Sequence, residues 1–267
     1  IMKRVITLLA ITLLIGATLF AAGKKESGST LTVGATPEPH AEFLNLIVGD
    51  LAQQGITLKV VEFTDYVTPN TAVEDGQIDA NFFQHIPYLE SFNEDKGYHL
   101  VNAGGIHIEP IALYSNKVTS INDLANGATI AIPNDPTNGG RALLLLESAG
   151  LITLKAGAGI TATPIDIATN PKNLKFHEIE AASLPRVLDD VDAAVINGNY
   201  AIPAGLKANS DGLIVEGADS PYVNVVAVKE GRENDAAIKS LVKALQSDKI
   251  KNYVKENYPN GEVVVVF

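Results

Sequence analysis

The chain has 267 residues, of which 46% are hydrophobic and 19% charged, the proportions of a folded globular protein of one or two domains. With 31 acidic side chains against 20 basic ones the net charge is −11, which argues against a nucleic-acid binder resting on a basic phosphate footprint. There is no cysteine, so disulfides, thiolate nucleophiles, Cys-ligated zinc and iron–sulfur clusters are excluded.

Lys3 and Arg4 precede an uncharged apolar run from Val5 to Phe20, closed by Ala21-Ala22 and a polar stretch. This is the layout of a secretory signal peptide over residues 1–22. The run is shorter than the roughly 20 residues that span a bilayer. Leu19-Phe20-Ala21-Ala22-Gly23 has the form of a bacterial lipobox with Ala22 in the lipid-bearing Cys position. Without a thiol that position cannot take a thioether-linked lipid. Residues 23–30 read as a flexible tether.

Leu31–Ala35 reads as a strand, and Thr36-Pro37-Glu38-Pro39 opens a helix whose apolar face is Phe43, Leu44, Ile47, Val48 and Leu51. A strand over Ile56–Phe63, a short helix over Thr68–Asp75 and a strand over Ile78–Asn81 follow. Asn81–Tyr88 is then a loop into a helix over Ile86–Asp95. The middle repeats the scheme: strand Ala128–Ile132, turn-rich loop Pro133–Gly140, helix Arg141–Ala149, a helix end at Leu151–Lys155, and strands at Asn173–Ile179 and Ala193–Ile196 around a helix at Leu184–Asp190. Alternating strands and helices predict mostly parallel sheets covered by helices. Two apolar stretches, Ile106–Tyr114 and Tyr222–Val228, would cross between two lobes, and two amphipathic helices near Asn234–Gln246 and Lys249–Asn257 would return to the first. Strand ends would then face an inter-lobe cleft.

No Gly-x-Ser-x-Gly elbow, His-Glu-x-x-His or P-loop is present. Gly157-Ala158-Gly159-Ile160-Thr161-Ala162 matches a dinucleotide fingerprint but lacks the strand–helix context, so it reads as a loop. His40, His85, His99, His107 and His177 show no metal-ligand spacing. The polar and aromatic residues gather instead in four loops. Tyr66 follows a strand, and Phe83, His85 and Tyr88 stand before a helix. Asn138 and Arg141 stand where a helix N-terminus presents free N–H groups to an anion and a guanidinium can grip a carboxylate. Asn197, Asn199 and Tyr200 end a strand. Asn224 lies in an apolar strand, where an unpaired amide costs about 1–3 kcal/mol. An Arg for a carboxylate, amides for an ammonium group and aromatics for a side chain make the inventory for a zwitterionic amino acid. Neither Arg141 nor Asn224 need serve a core on this reading. The competing reading, an α/β enzyme acting on a small carboxylate, has His85 as its one plausible acid or base.

Asn81-Phe82-Phe83-Gln84-His85-Ile86-Pro87-Tyr88-Leu89, Ile132-Pro133-Asn134-Asp135-Pro136-Thr137-Asn138 with Arg141, Leu184-Pro185-Arg186, Ala194-Val195-Ile196-Asn197 and Ser220-Pro221-Tyr222-Val223-Asn224 closely resemble the NlpA/MetQ family of methionine-binding lipoproteins of bacterial ABC importers. The resemblance spans Leu31 to Val263. It implies a two-lobed periplasmic-binding-protein fold of class α/β, with lobe I in 31–109 plus 226–267 and lobe II in 110–225. It implies a non-enzymatic monomer that captures L-methionine or a close analogue for ABC permease subunits, with no cofactor, metal or nucleic acid. Arg141 would grip the carboxylate, Asn197 and Asn224 the polar groups, and Tyr66, Phe83, His85 and Tyr88 the side chain. The protein would be exported to the periplasm or the outer face of a membrane, anchored only if position 22 were Cys.

Overall fold

The computed structural model describes residues 28–217 and 220–267. The expected signal peptide, the lipobox at Ala22 and most of the expected tether lie outside the described residues. In chain order the elements are β1 (Ser29–Ala35), α1 (Glu42–Ala52), β2 (Ile56–Glu62), α2 (Thr68–Glu74), β3 (Ala80–His85), α3 (Ile86–Lys96), β4 (Leu100–Ile108), β5 (Ala112–Tyr114), β6 (Thr129–Pro133), α4 (Pro136–Ser148) and β7 (Thr153–Leu154). There follow β8 (Ile167–Thr169), β9 (Lys175–Ile179), β10 (Ala193–Ile196), α5 (Gly198–Ala201), α6 (Ala208–Asp211), β11 (Ile214–Val215), β12 (Val223–Lys229), α7 (Ala236–Leu245), α8 (Asp248–Asn257) and β13 (Val264–Val265).

Two mixed sheets form the frame, one in the order β13-β4-β12-β3-β1-β2 and one in the order β11-β5-β10-β6-β9. The expected parallel pairing holds where helices connect the strands, at β2-β1-β3 and β10-β6-β9. Strands beside the crossings (β4, β12, β5 and β11) pair antiparallel, because each crossing brings the chain back in the opposite sense. The chain leaves the first sheet after Ile108, enters the second at Ala112, leaves it after Val215 and re-enters the first at Val223. Asn224 therefore belongs to the first sheet, between His85 of β3 and His107 of β4.

The continuous apolar run of β12 is explained by burial on both faces. Val226 and Val228 pack with Phe43, Ile47, Ile238 and Leu241 of α1 and α7. Val225 and Ala227 face Val73 and Leu89 of α2 and α3 on the other side. The second sheet divides likewise: Ile130, Ile132 and Val195 meet Leu143 and Leu146 of α4, whereas Ala131, Ala194 and Ile196 meet Leu184 and Leu188.

Several expected boundaries move. Ser29 and Thr30 are no tether, for they pair with Ile56 and Thr57 at the start of β1. Pro37–Ala41 forms one irregular turn, extended at Glu38, before α1 begins. Asn81–His85 is a fully buried central strand rather than a loop, since its polar members find partners described below. Pro136–Gly140 is already helix, with Asp135 as the N-cap whose carboxylate accepts the Asn138 N–H at 2.9 Å. The expected helix end at Leu151–Lys155 is the short strand β7. The expected helix at Leu184–Asp190 is a tight turn over Ala181–Val187 that contains Pro185.

Gly140 lets α4 lie against the Ile160 segment, where a Cβ would collide with the Ile160 carbonyl. Gly140→Ala should lower stability by about 1–3 kcal/mol, the ordinary cost of overpacking. Urea unfolding of the variant checks it, and an unchanged midpoint would show that the contact yields freely.

Candidate functional site

The carboxyl ends of β3, β6 and β10 and the first residues of β12 converge between the sheets on a small cavity. Tyr66, Phe83, His85, Tyr88, Asn138, Arg141, Asn197, Asn199 and Asn224 all line it. Tyr200 does not. It stacks on the outer side of Tyr66 with ring centroids 5.0 Å apart, and its hydroxyl donates to the Thr64 carbonyl.

Strand alternation sorts the neighbouring phenylalanines. Phe82 enters the core of the first sheet and Phe83 faces the cavity. Phe83, Tyr66 and Tyr88 form an aromatic wall with centroids 5.8–6.0 Å apart. Gln84 also reaches the cavity, but its amide is consumed by Asn70 and Asn81 in a closed buried triad at 2.6–2.9 Å. That triad lets β3 carry polar residues at the sheet centre.

Hydrogen-bond chains set the direction of each amide. Asp135 accepts from Asn138 Nδ2 at 3.0 Å, so Asn138 Oδ1 is left to accept from His85 Nε2 at 3.1 Å and Asn197 Nδ2 at 2.7 Å. Asn197 Oδ1 is then a buried acceptor with no partner among the described residues. The Tyr66 hydroxyl donates to Asn199 Oδ1 at 2.5 Å, leaving Asn199 Nδ2 as a buried donor without a partner. Asn224 Oδ1 is held by His40 Nε2 at 3.2 Å. Each unpaired atom would cost about 1–3 kcal/mol if nothing met it.

Arg141 is more constrained than the sequence suggests. Its Nε and Nη2 grip Glu216 in a bidentate pair, Nη2 also donates to the Glu109 carbonyl at 2.8 Å, and the guanidinium lies 4.1 Å from the Tyr222 ring centroid. Nη1 makes no hydrogen bond among the described residues. Arg141 therefore ties α4 to both crossings. The α4 N-terminus is not open to a ligand anion as expected, because Asp135 already caps it.

Glu109 carried no expectation in the sequence, and His40 and His107, which show no metal-ligand spacing there, are brought to it by the fold. Glu109 lines the cavity, and its Oε1 lies 2.7 Å from His107 Nε2 and 3.3 Å from His40 Nε2. The ligating atoms of these three lie within 4.8 Å of one another, although 67 residues separate the two histidines in sequence. Burial raises the Glu109 carboxyl, opposed by His40, Arg141 and the Asn199 N–H. Burial pushes His40 down to about 4 and His107 to about 3. His85 is lowered to about 3, by burial first and then by the Arg141 charge. One signal was available: Glu109 is a lone acid in the apolar stretch IHIEPIALY.

A family model described as NlpA lipoprotein matches residues 31–267. Membrane lipoprotein TpN32 of Treponema pallidum is 49% identical over 234 residues, covering 88% of this chain and 87% of that protein. The probable D-methionine-binding lipoprotein MetQ of Pasteurella multocida is 44% identical, covering 91% and 88%. The structure of a nutrient binding protein from Burkholderia cenocepacia bound to methionine superposes with a TM-score of 0.86 at 47% identity, covering 89% of this chain and all of that one.

Proposed function

Because the chain belongs to the NlpA lipoprotein family, we propose that it captures methionine in the cavity between its two sheets and delivers it to the permease of an ABC importer. The observation that carries this reading is the complementary set of polar groups in one cavity, two of them, Asn197 Oδ1 and Asn199 Nδ2, buried without a partner among the described residues. Asn199 Nδ2, Asn224 Nδ2 and Arg141 Nη1 are donors for a carboxylate. Asn197 Oδ1 and the Glu109 carboxylate are acceptors for an ammonium group. The aromatic wall of Tyr66, Phe83 and Tyr88 suits a thioether, since sulfur packs favourably on ring edges.

A binding role fits better than catalysis. Both ring nitrogens of His85, the acid or base the sequence offered, are engaged, Nδ1 by the Tyr88 N–H at 3.1 Å and Nε2 by Asn138, and Glu109 Oε1 is held by His107. We place lobe I in the first sheet with its helices and lobe II in the second, joined by the crossings at 109–111 and 216–222. The protein acts as an exported monomer on the outer side of the membrane. No helix among the described residues is long and apolar enough to cross a bilayer, and a lipid anchor would need a thiol that Ala22 does not supply.

Protein unfolded and refolded to strip ligand should melt higher with methionine. At a thousandfold excess over Kd the gain is about 4 kcal/mol, or roughly 8–16 °C for domains of this size. Absence of any thermal shift at millimolar L- or D-methionine overturns the reading.

A further inference from the structure

His40 lies behind the cavity wall, on the turn between β1 and α1, fully buried. Its Nε2 faces two oxygens, Asn224 Oδ1 at 3.2 Å and Glu109 Oε1 at 3.3 Å. An amide oxygen and a carboxylate only accept, so Nε2 carries the hydrogen. Behind the ring, Thr36 Oγ1 sits 2.8 Å from Nδ1 and can donate its hydroxyl hydrogen there. Burial holds the ring neutral at pH 7, with one donor to give. His107 approaches the same Glu109 oxygen from β4 at 2.7 Å. Two nitrogen or oxygen ligands of one tetrahedral zinc ion stand about 3.3 Å apart, so the 2.7 Å contact is a hydrogen bond. His107 therefore donates to the Glu109 carboxylate, while the hydrogen of His40 Nε2 goes to Asn224 and Glu109 Oε1 lies beside it at 3.3 Å.

A carboxamide has one accepting end and one donating end. Asn224 spends its oxygen on His40, which leaves Nδ2 as the end available to the cavity that Asn224 lines. We propose that His40 is a positioning residue for amino-acid recognition: its Nε2–H turns the Asn224 amide nitrogen toward the ligand. The carboxylate and ammonium ends of the ligand are thereby told apart with the help of a side chain that contacts neither. This inference rests on the amino-acid reading above.

Two measurements test it. The first is the ¹⁵N shifts of the His40 ring in the wild-type protein, which are readable whatever the ligand is. They should report the neutral Nε2–H tautomer, unchanged from about pH 6 to 8. An Nδ1–H tautomer or a charged ring overturns the proposal, and this arm stands even if methionine proves not to be the ligand. The second is calorimetry of His40→Leu and His40→Gln with methionine and with methioninamide, whose carboxylate is replaced by a carboxamide. His40→Leu should bind methionine about 10- to 100-fold more weakly. Its loss for methioninamide should be smaller, because a freed Asn224 can turn and accept from the carboxamide, so the preference for methionine falls about tenfold. His40→Gln returns an N–H donor at similar reach and should recover most of that preference. An equal loss for both ligands in His40→Leu, or no recovery in His40→Gln, would reduce His40 to a packing residue. Should His40→Leu fail to fold, the Gln variant and the tautomer decide. Failure of the wild type to bind any form of methionine counts against the ligand reading, while the tautomer still decides what orients Asn224.

Discussion

Arg141→Ala should weaken methionine binding by about 2–4 kcal/mol, roughly 30- to 1,000-fold, and should also destabilise the ligand-free protein. The binding loss follows from removing a guanidinium that offers Nη1 to the cavity. The stability loss follows from what else the residue holds. Arg141 pairs with Glu216 through two nitrogens, bonds the Glu109 carbonyl and stacks on Tyr222. Removing one partner of a buried pair costs about 3–5 kcal/mol. Glu216 is 15% exposed, so water recovers part of its charge and about 2–4 kcal/mol is expected here. The expectation that this residue need not serve the fold is therefore corrected. The double variant Arg141→Ala, Glu216→Ala separates the two effects. It should regain part of the stability, because no stranded carboxylate remains, and none of the binding. Denaturant unfolding and calorimetric titration of the two proteins provide the readings. Wild-type affinity in Arg141→Ala would take the residue out of the site.

Acid should cost the fold more than any single substitution. Burial holds His85 and His107 near 3 and His40 near 4, against an ordinary value of 6.5. All three sit in the fold as neutral rings. As pH falls below about 6.5 the unfolded chain takes up protons that the folded chain refuses, so stability declines from there to about pH 3–4 and is flat above about pH 7. At about pH 5 each ring costs roughly 2 kcal/mol. Glu109 works in the opposite sense, because its raised carboxyl takes up a proton within the fold first. The net expectation is a fall of several kcal/mol between about pH 7 and pH 5. Urea midpoints across that range measure it, and a flat profile would mean that these rings are charged or hydrated in the native state.

Much of the frame was readable because secondary structure leaves a local signature. The apolar face of Phe43, Leu44, Ile47 and Leu51 marked α1, although Val48, expected on that face, is exposed, and the short apolar runs marked β1, β6, β10 and β12. The misreadings share one cause. Asn81–His85 resembled a loop because Asn, Gln and His are rare at a sheet centre, and Asn70, which satisfies Asn81 and Gln84, comes from α2. Pro136–Gly140 resembled a turn because Pro, Asn and Gly favour turns, whereas a Pro behind a capping Asp also begins a helix well.

The ten expected site residues rested on residue type at strand ends and on the family resemblance, and the fold brings nine of them to one cavity, with Tyr200 supporting Tyr66 from outside. By itself the sequence determined the α/β class, the family and most of the long strands and helices, since each of these is written in residues close together along the chain. The pairing of the cavity side chains was decided only by tertiary structure. Arg141 meets Glu216 across 75 positions and His40 meets Asn224 across 184. Such contacts depend on strand register and on where the crossings return, which no local pattern encodes. The same holds for which end of each amide faces the ligand, because an Asn has no preferred direction until its fixed neighbours take one end and leave the other.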